Sequence, residues 1–149
     1  MLQITTATFE HVSIDGSIEK RLGRTPQSDW RKRKLAAIEL DCQLAPDGVF
    51  LAEEHAGTAI GFITTRSDKE TGVGWIPNLA VDLSHQNRGV ARLLLQHALN
   101  FFRKQGLSLA RIETLEHNAI GQHLYPSLGF VEVARQIHYA IKLSDADES

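Results

Sequence analysis

A single cysteine, Cys42, stands in 149 residues, so an internal disulfide framework is excluded. No apolar run approaches the length of a helical membrane span. Neither sign of charge dominates: sixteen Lys and Arg against eighteen Asp and Glu leave a formal charge of -2, too little to draw in nucleic acid or an acidic membrane surface as the main partner. The opening MLQITTATFEH lacks the basic and then apolar run of a secretion signal, and the expectation is a reducing cytoplasm. There is no G-x-x-x-x-G-K-[ST] and no G-x-G-x-x-G, which disfavours nucleoside triphosphates and dinucleotides. The seven histidines form no i, i+4 pair and no Cys/His cluster, so they read as surface or loop residues and no metal is expected.

What is present is an ordinary globular composition, 42% hydrophobic and 23% charged, at the length of one domain. That domain is expected over residues 1–143, with a short acidic, disordered tail at 144–149. Leu2, Ile4 and Thr6 alternate as in a first strand; Ile14, Ile18 and Leu22 suggest a short helix weakened by Gly16. Ser28 or Asp29 can cap a longer helix to about Leu44, with Leu35, Ile38 and Cys42 inward and the basic residues 31–34 on the wet side. Residues 49–55, 58–66 and 73–82 read as an antiparallel meander. Val90, Leu93, Leu94, Ala98 and Phe101 then follow helical spacing up to Arg103, Lys104 and Gly106. A strand over 109–115, a short helix over 118–128 and a strand over 130–143 complete the reading. The fold class is α/β with a mixed (α+β) sheet, antiparallel strands one to four followed by a βαβαβ half, and helices on both faces.

The most informative segment is Gln86-Asn87-Arg88-Gly89-Val90-Ala91, between a strand end and the surest helix. Unpaired N–H groups at a helix start, with the macrodipole behind them, make a site for a phosphate, and a glycine lets it approach the backbone. Arg88 in the first turn opposes the dipole by about 0.3 to 1 kcal/mol, a cost that a bound anion reverses. An ordinary strand-to-helix turn would have the same glycine for chain geometry alone.

Two motifs resemble the GNAT superfamily of N-acetyltransferases. Gln86, Gly89 and Ala91, preceded by the strand Leu79-Ala80-Val81, match its acyl-coenzyme A signature of Gln or Arg, two residues, Gly, one residue, Gly or Ala. Asn118, Tyr125 and the turn Leu128-Gly129-Phe130 match its Asn-to-Tyr helix. The resemblance implies that acetyl-coenzyme A is the co-substrate and a primary amine of a small molecule or peptide the acceptor, joined by direct attack in a ternary complex. It implies backbone pairing of Leu79, Ala80 and Val81 with the pantetheine arm, an oxyanion-type contact near Val81, pyrophosphate binding by Gln86, Asn87, Arg88, Gly89, Val90, Ala91 and Arg92, a pantetheine contact from Asn118, and Tyr125 near the sulfur. Family habit implies a homodimer and a strand split near Pro77, which cannot donate to a ladder. Pro126, directly after Tyr125, departs from the family pattern, and Gly121 stands where Ala is frequent.

An alkyl amine of pKa near 10.4 reaches its nucleophilic form at pH 7 at a cost of about 4.6 kcal/mol, so a group must take its proton. Glu113, and Glu53 or Glu54, are the carboxylates placed to act directly or through water. Strand alternation allows only one of the latter pair to face the site. Tyr125 is the candidate proton donor to the leaving thiolate. The alternative, from a different class, is a non-catalytic acyl-coenzyme A sensor or interaction module.

Overall fold

The computed structural model describes residues 1–143, and the expected acidic tail at 144–149 lies outside the described residues. Among the described residues, five α-helices, two short 3-10 turns (Pro46–Gly48 and Leu83–His85) and one four-stranded sheet make up the regular structure: α1 (Leu2–Thr8), α2 (Ile14–Leu22), α3 (Trp30–Leu44), β1 (Phe50–Glu53), β2 (Ala59–Asp68), β3 (Val73–Val81), α4 (Val90–Lys104), β4 (Leu109–Ile112) and α5 (Ala119–Ser127). The sheet order is β1-β2-β3-β4, antiparallel through the first three and parallel between β3 and β4. Helix α4 is the crossover that a parallel pair requires.

Adjacent residues of β2 show how the sheet is covered. Ile63 faces α4 and joins Ile76, Val81, Leu94, Leu95, Ala98 and Phe102 in one cluster. Phe62 points the other way, into a cluster with Ile4, Phe9, Trp30, Ile38 and Ala80 from α1, α3 and β3. Helices thus lie on both faces, as the period-2 pattern of a doubly covered sheet demands. On α4 the inward stripe is Leu94, Leu95, Ala98 and Phe102, while Leu93, expected to face inward, is 66% exposed. Asp29 caps α3 by accepting from the Lys32 N–H at 2.9 Å, and Ser13 caps α2 by accepting from Gly16 N–H at 3.0 Å. Gly16 does not weaken α2 for want of space: a Cβ there would lie 1.8 Å from the Glu10 carbonyl oxygen.

Three expectations are corrected. Residues 2–8 are a helix, not a strand, because Ile4, Thr5 and Phe9 turn to one side and bury together, an arrangement with helical spacing that overrides four β-branched residues in the segment. The strand expected over 109–115 ends at Ile112. Residues 130–143 form no strand, although Ile137, Tyr139 and Ile141 alternate; they are 78 to 90% exposed. Alternation decides which side chains share a face, but a strand also needs a paired neighbour, and residues 130–143 enter none of the sheet pairings.

Residues 31–34 are also not uniformly on the wet side. Lys34 falls on the Trp30, Ile38, Asp41 stripe of α3, and its Nζ donates to Asn78 Oδ1 at 2.9 Å. Asn78 Nδ2 in turn donates to Asp41 Oδ2 and to Thr64 Oγ1, both at 2.8 Å. Arg66 closes the network on Asp41, with its Nε 3.1 Å from Oδ1.

Candidate functional site

The site begins where two strands part. Between the pairs Thr64–Asn78 and Arg66–Trp75, β2 advances two residues and β3 three, so β3 carries a bulge at residues 76 and 77. The bulge reverses the alternation: Ile76 packs on the α4 side while Asn78, two residues on, bonds to α3. The last β3–β4 pair is Ile76 with Ile112, after which β3 continues to Val81 paired with β2 only. Pro77, with no N–H to leave unpaired, sits at the divergence.

Beyond the split, one edge of β3 is open. The Asp82 N–H bonds to Ile60 O at 2.7 Å, and the alternation of an antiparallel ladder then turns the polar groups of Ala80 toward β2 and those of Leu79 and Val81 toward the open edge. Of the three residues expected to pair with a ligand arm, Leu79 and Val81 have backbone groups free to do so and Ala80 does not. The Val81 carbonyl is taken by the Gln86 side-chain amide at 3.2 Å, which ties the following turn to the strand end.

That turn holds Asn87 at φ 64 and Gly89 at φ 80, both left-handed, a conformation uncommon for a residue with a Cβ. No side chain caps α4, and Leu93 is the first residue of the helix to bond back, to Gly89 O at 3.0 Å. The N–H groups of residues 89–92 are left without intrahelical acceptors at the positive end of the dipole. Nothing lies within 4 Å of where a Gly89 Cβ would stand. Arg88 is exposed at the turn, and Arg92 donates to Ser127 Oγ at 2.8 Å, which joins the start of α4 to the end of α5.

Helix α5 brings in the last two groups. Asn118 is its N-cap, accepting from Gly121 N–H at 3.3 Å. At the other end the Phe130 N–H donates to Tyr125 O at 3.1 Å and the Gly129 N–H to Pro126 O at 3.0 Å, with Gly129 at φ 97. This is a Schellman ending, and Phe130 supplies its apolar contact by packing on Tyr125. Pro126 is accommodated in the final turn of the helix. Burial pushes the Tyr125 phenol up to about 12.

These pieces line one cleft of about 1350 Å³. It runs from the Gln86–Arg92 turn, along Leu79 and Val81 and past Tyr125 and Asn118, to α1 and the α1–α2 loop. A model of the family described as "Acetyltransferase (GNAT) family" matches residues 17–130. The chain belongs to this family.

Among the acetyltransferases similar to it, the mycothiol acetyltransferase of Nocardia farcinica is 30% identical over 118 residues, covering 76% of this chain and 39% of that protein. N-alpha-acetyltransferase 30 of Saccharomyces cerevisiae is 28% identical over 108 residues, covering 68% and 61%. The chain therefore spans about two fifths of the length of that mycothiol acetyltransferase. Aminoglycoside N-acetyltransferase AAC(6')-Iy, solved in complex with CoA, superposes with a TM-score of 0.57 at 29% identity, covering 75% of this chain and 88% of that one. PH1933 from Pyrococcus horikoshii OT3 gives a TM-score of 0.64 at 27% identity, covering 83% and 81%.

The GNAT domain separates the carboxylates expected from sequence. Glu113 lines the cleft just after β4, and both its oxygens are engaged: Oε2 accepts from Trp75 Nε1 at 2.5 Å and Oε1 from Arg111 Nε at 3.0 Å. Glu53 ends β1, two strands from β3, exposed and outside the cleft lining. Glu54 bonds to His85 Nε2, whose Nδ1 lies 2.9 Å from Asp82 Oδ2. Those bonds to Asp82 and Glu54 hold the His85 pKa above its usual value. His117 is fixed by donating from Nε2 to the His11 carbonyl at 2.5 Å, which links the β4–α5 loop to the α1–α2 loop. Trp30 is core, and Trp75 lies between the guanidinium groups of Arg66 and Arg111, at 5.0 and 5.9 Å. Among the described residues no helix is long and apolar enough to cross a membrane.

Sequence reasoning missed Lys34, which also lines the cleft. The signal was present: Trp30, Lys34, Ile38 and Asp41 recur at the three- and four-residue steps of one helix face.

Proposed function

We propose that this domain transfers the acetyl group of acetyl-coenzyme A to a primary amine by direct attack in a ternary complex. The observation that carries the reading is the continuity of unpaired N–H groups at the start of α4 with the open edge of β3 and the hydroxyl of Tyr125 in one cleft. The N–H groups of residues 89–92 would hold the pyrophosphate, with Arg88 adding charge. Leu79 and Val81 would pair with the pantetheine arm and polarise the thioester carbonyl, and Asn118, whose side-chain oxygen serves the helix cap, would offer its amide N–H to the arm.

The amine nitrogen attacks the thioester carbon, the C–S bond breaks, the thiolate leaves, and the second proton, shed by the nitrogen as the amide forms, passes through water to the sulfur. With Tyr125 at about 12 and a thiol near 8.5, complete proton donation to sulfur is uphill by roughly 4.8 kcal/mol, so the phenol serves as a hydrogen-bond donor that stabilises the developing thiolate. Glu113, which is the one carboxylate lining the cleft among the described residues, receives the ammonium proton through water. Cys42 lies outside the cleft lining on α3, which favours direct attack over an acyl-enzyme.

We place the protein in the cytoplasm as a homodimer, an assembly that would cover Val133, Ile137, Tyr139 and Ile141, each 78 to 92% exposed in the single chain. The deciding experiment is thiol release from acetyl-coenzyme A against amines, amino acids, peptides and aminoglycosides. Release that depends on an acceptor supports the transferase; tight coenzyme binding with no release across the panel supports a sensor instead.

A further inference from the structure

The acceptor end of the cleft carries a half-buried cation that none of the chemistry above employs. Lys34 projects from α3 beneath the β3 split, with Nζ bonded to Asn78 Oδ1 at 2.9 Å and lying 4.5 Å from the centre of the Phe9 ring. Among the described residues no carboxylate comes within ion-pairing distance of it. The two acids that act on it from farther away are already committed: Asp15 to Arg33 at 3.5 Å, and Asp41 to Arg66 and to Asn78. An ammonium has three donors, and only one is used here. Burial disfavours its charge, which an anionic partner would restore.

The rest of the lining agrees. Its carboxylate, Glu113, is neutralised by Arg111, while Lys34 and Arg92 face no carboxylate among the described residues. A cleft so charged repels a polycationic acceptor and suits one with a negative group. Arg92 sits at the coenzyme end, so the charge available to an acceptor is that of Lys34.

We propose that Lys34 binds a carboxylate on the acceptor, so that the substrate class is an amine that also carries a carboxylate, such as an amino acid or short peptide, and not a polyamine or aminoglycoside. This rests on the transferase reading for the role of the cleft, but it is tested by binding independently of turnover. The probes are ω-amino carboxylates from glycine to 6-aminohexanoate and their carboxamides, with spermidine and sisomicin as polycations, titrated by calorimetry into the protein loaded with coenzyme A and assayed in parallel for thiol release.

At least one chain length should bind roughly tenfold or more tightly than its amide, the size expected of a hydrogen bond to a charged group. Lys34→Met should remove that difference while coenzyme A affinity, measured in a separate titration of the unloaded protein, reports that the cleft is intact. Amides that bind as tightly as acids throughout, a preference for either polycation, or an acid-to-amide ratio unchanged in Lys34→Met would each overturn the assignment. Acid preference without thiol release would refute transfer and leave the carboxylate site standing; release with no acid preference would do the reverse.

Discussion

Phe130 is joined to Tyr125 twice: its N–H donates to the Tyr125 carbonyl at 3.1 Å, and its ring meets the phenol with centroids 6.0 Å apart at 62°. The glycine before it supplies the left-handed turn that makes both contacts possible. A turn that looks like simple helix termination is thus what fixes the phenol in the cleft.

Removing the Tyr125 hydroxyl should lower turnover by about 100-fold, the low end for a general acid-base group, with little change in acetyl-coenzyme A affinity. Stability carries a second signature. The folded state holds the phenol proton up to about pH 12 against about 10 when unfolded, so this contribution is full below pH 10 and is lost as pH rises through 12. Tyr125→Phe should flatten the fall in Tm over that interval, and unchanged turnover would remove the residue from the chemistry.

Gly121→Ala sets two effects against each other. Alanine favours a helix by about 1 kcal/mol over glycine. Its Cβ, however, would stand 2.8 Å from Thr114 Oγ1 and 3.2 Å from both Asn118 Nδ2 and Tyr125 Cε2. Overpacking of this kind typically costs about 1 to 3 kcal/mol, so Tm should not rise and turnover should fall as Tyr125 and Asn118 are displaced. A more stable, fully active variant in thermal melts and thiol release would show that the neighbours yield freely.

Much of the candidate site's layout could be read before the fold was known, because its groups sit at short, fixed spacings: the unfilled amides follow Gln86 directly, and Asn118 and Tyr125 lie seven residues apart on one short helix. Parts that depend on distant partners could not. Nothing near Glu113 in sequence announces Trp75, 38 residues away, and nothing near Asp41 announces Asn78. The first helix was hidden by Ile4, Thr5, Thr6 and Thr8, whose β-branched side chains favour strands until burial of Ile4 and Phe9 overrides them. Lys34 was hidden by its neighbours, since Arg31 and Lys32, in the turn just before it, are exposed.

Glu113→Gln tests the proton acceptor. Its oxygen can still accept from Trp75 Nε1, so the fold around β4 should hold. Thiol release at pH 7 should fall by ~100-fold, within the range for a lost general base. The deficit should shrink as pH approaches the amine pKa near 10, where the acceptor loses its proton unaided. A deficit that is the same at pH 7 and pH 9.5 would mean that Glu113 only positions Trp75 and Arg111.

His85 should give the protein a pH-dependent stability in the neutral range. Its bonds to Asp82 and Glu54 raise its pKa in the folded state, so the contribution is fully present below the unfolded value near 6.5 and is lost as pH rises through the folded one. Tm should therefore decline on going upward from about pH 6.5, and His85→Gln should remove that slope. A slope that persists in the variant would assign it to other groups.

Gly89→Ala separates the cost to the fold from the cost to the ligand. At φ 80 a side chain adds strain of about 1 to 2 kcal/mol, and its Cβ meets no protein atom within 4 Å. The open space that receives the methyl is the space the pyrophosphate would occupy at the unfilled amides of α4. Coenzyme A affinity by calorimetry should fall by more than the roughly fivefold to thirtyfold that 1 to 2 kcal/mol represents, while Tm drops by only a few degrees. Full affinity in a folded Gly89→Ala protein would place the phosphates elsewhere and detach the cleft from its coenzyme.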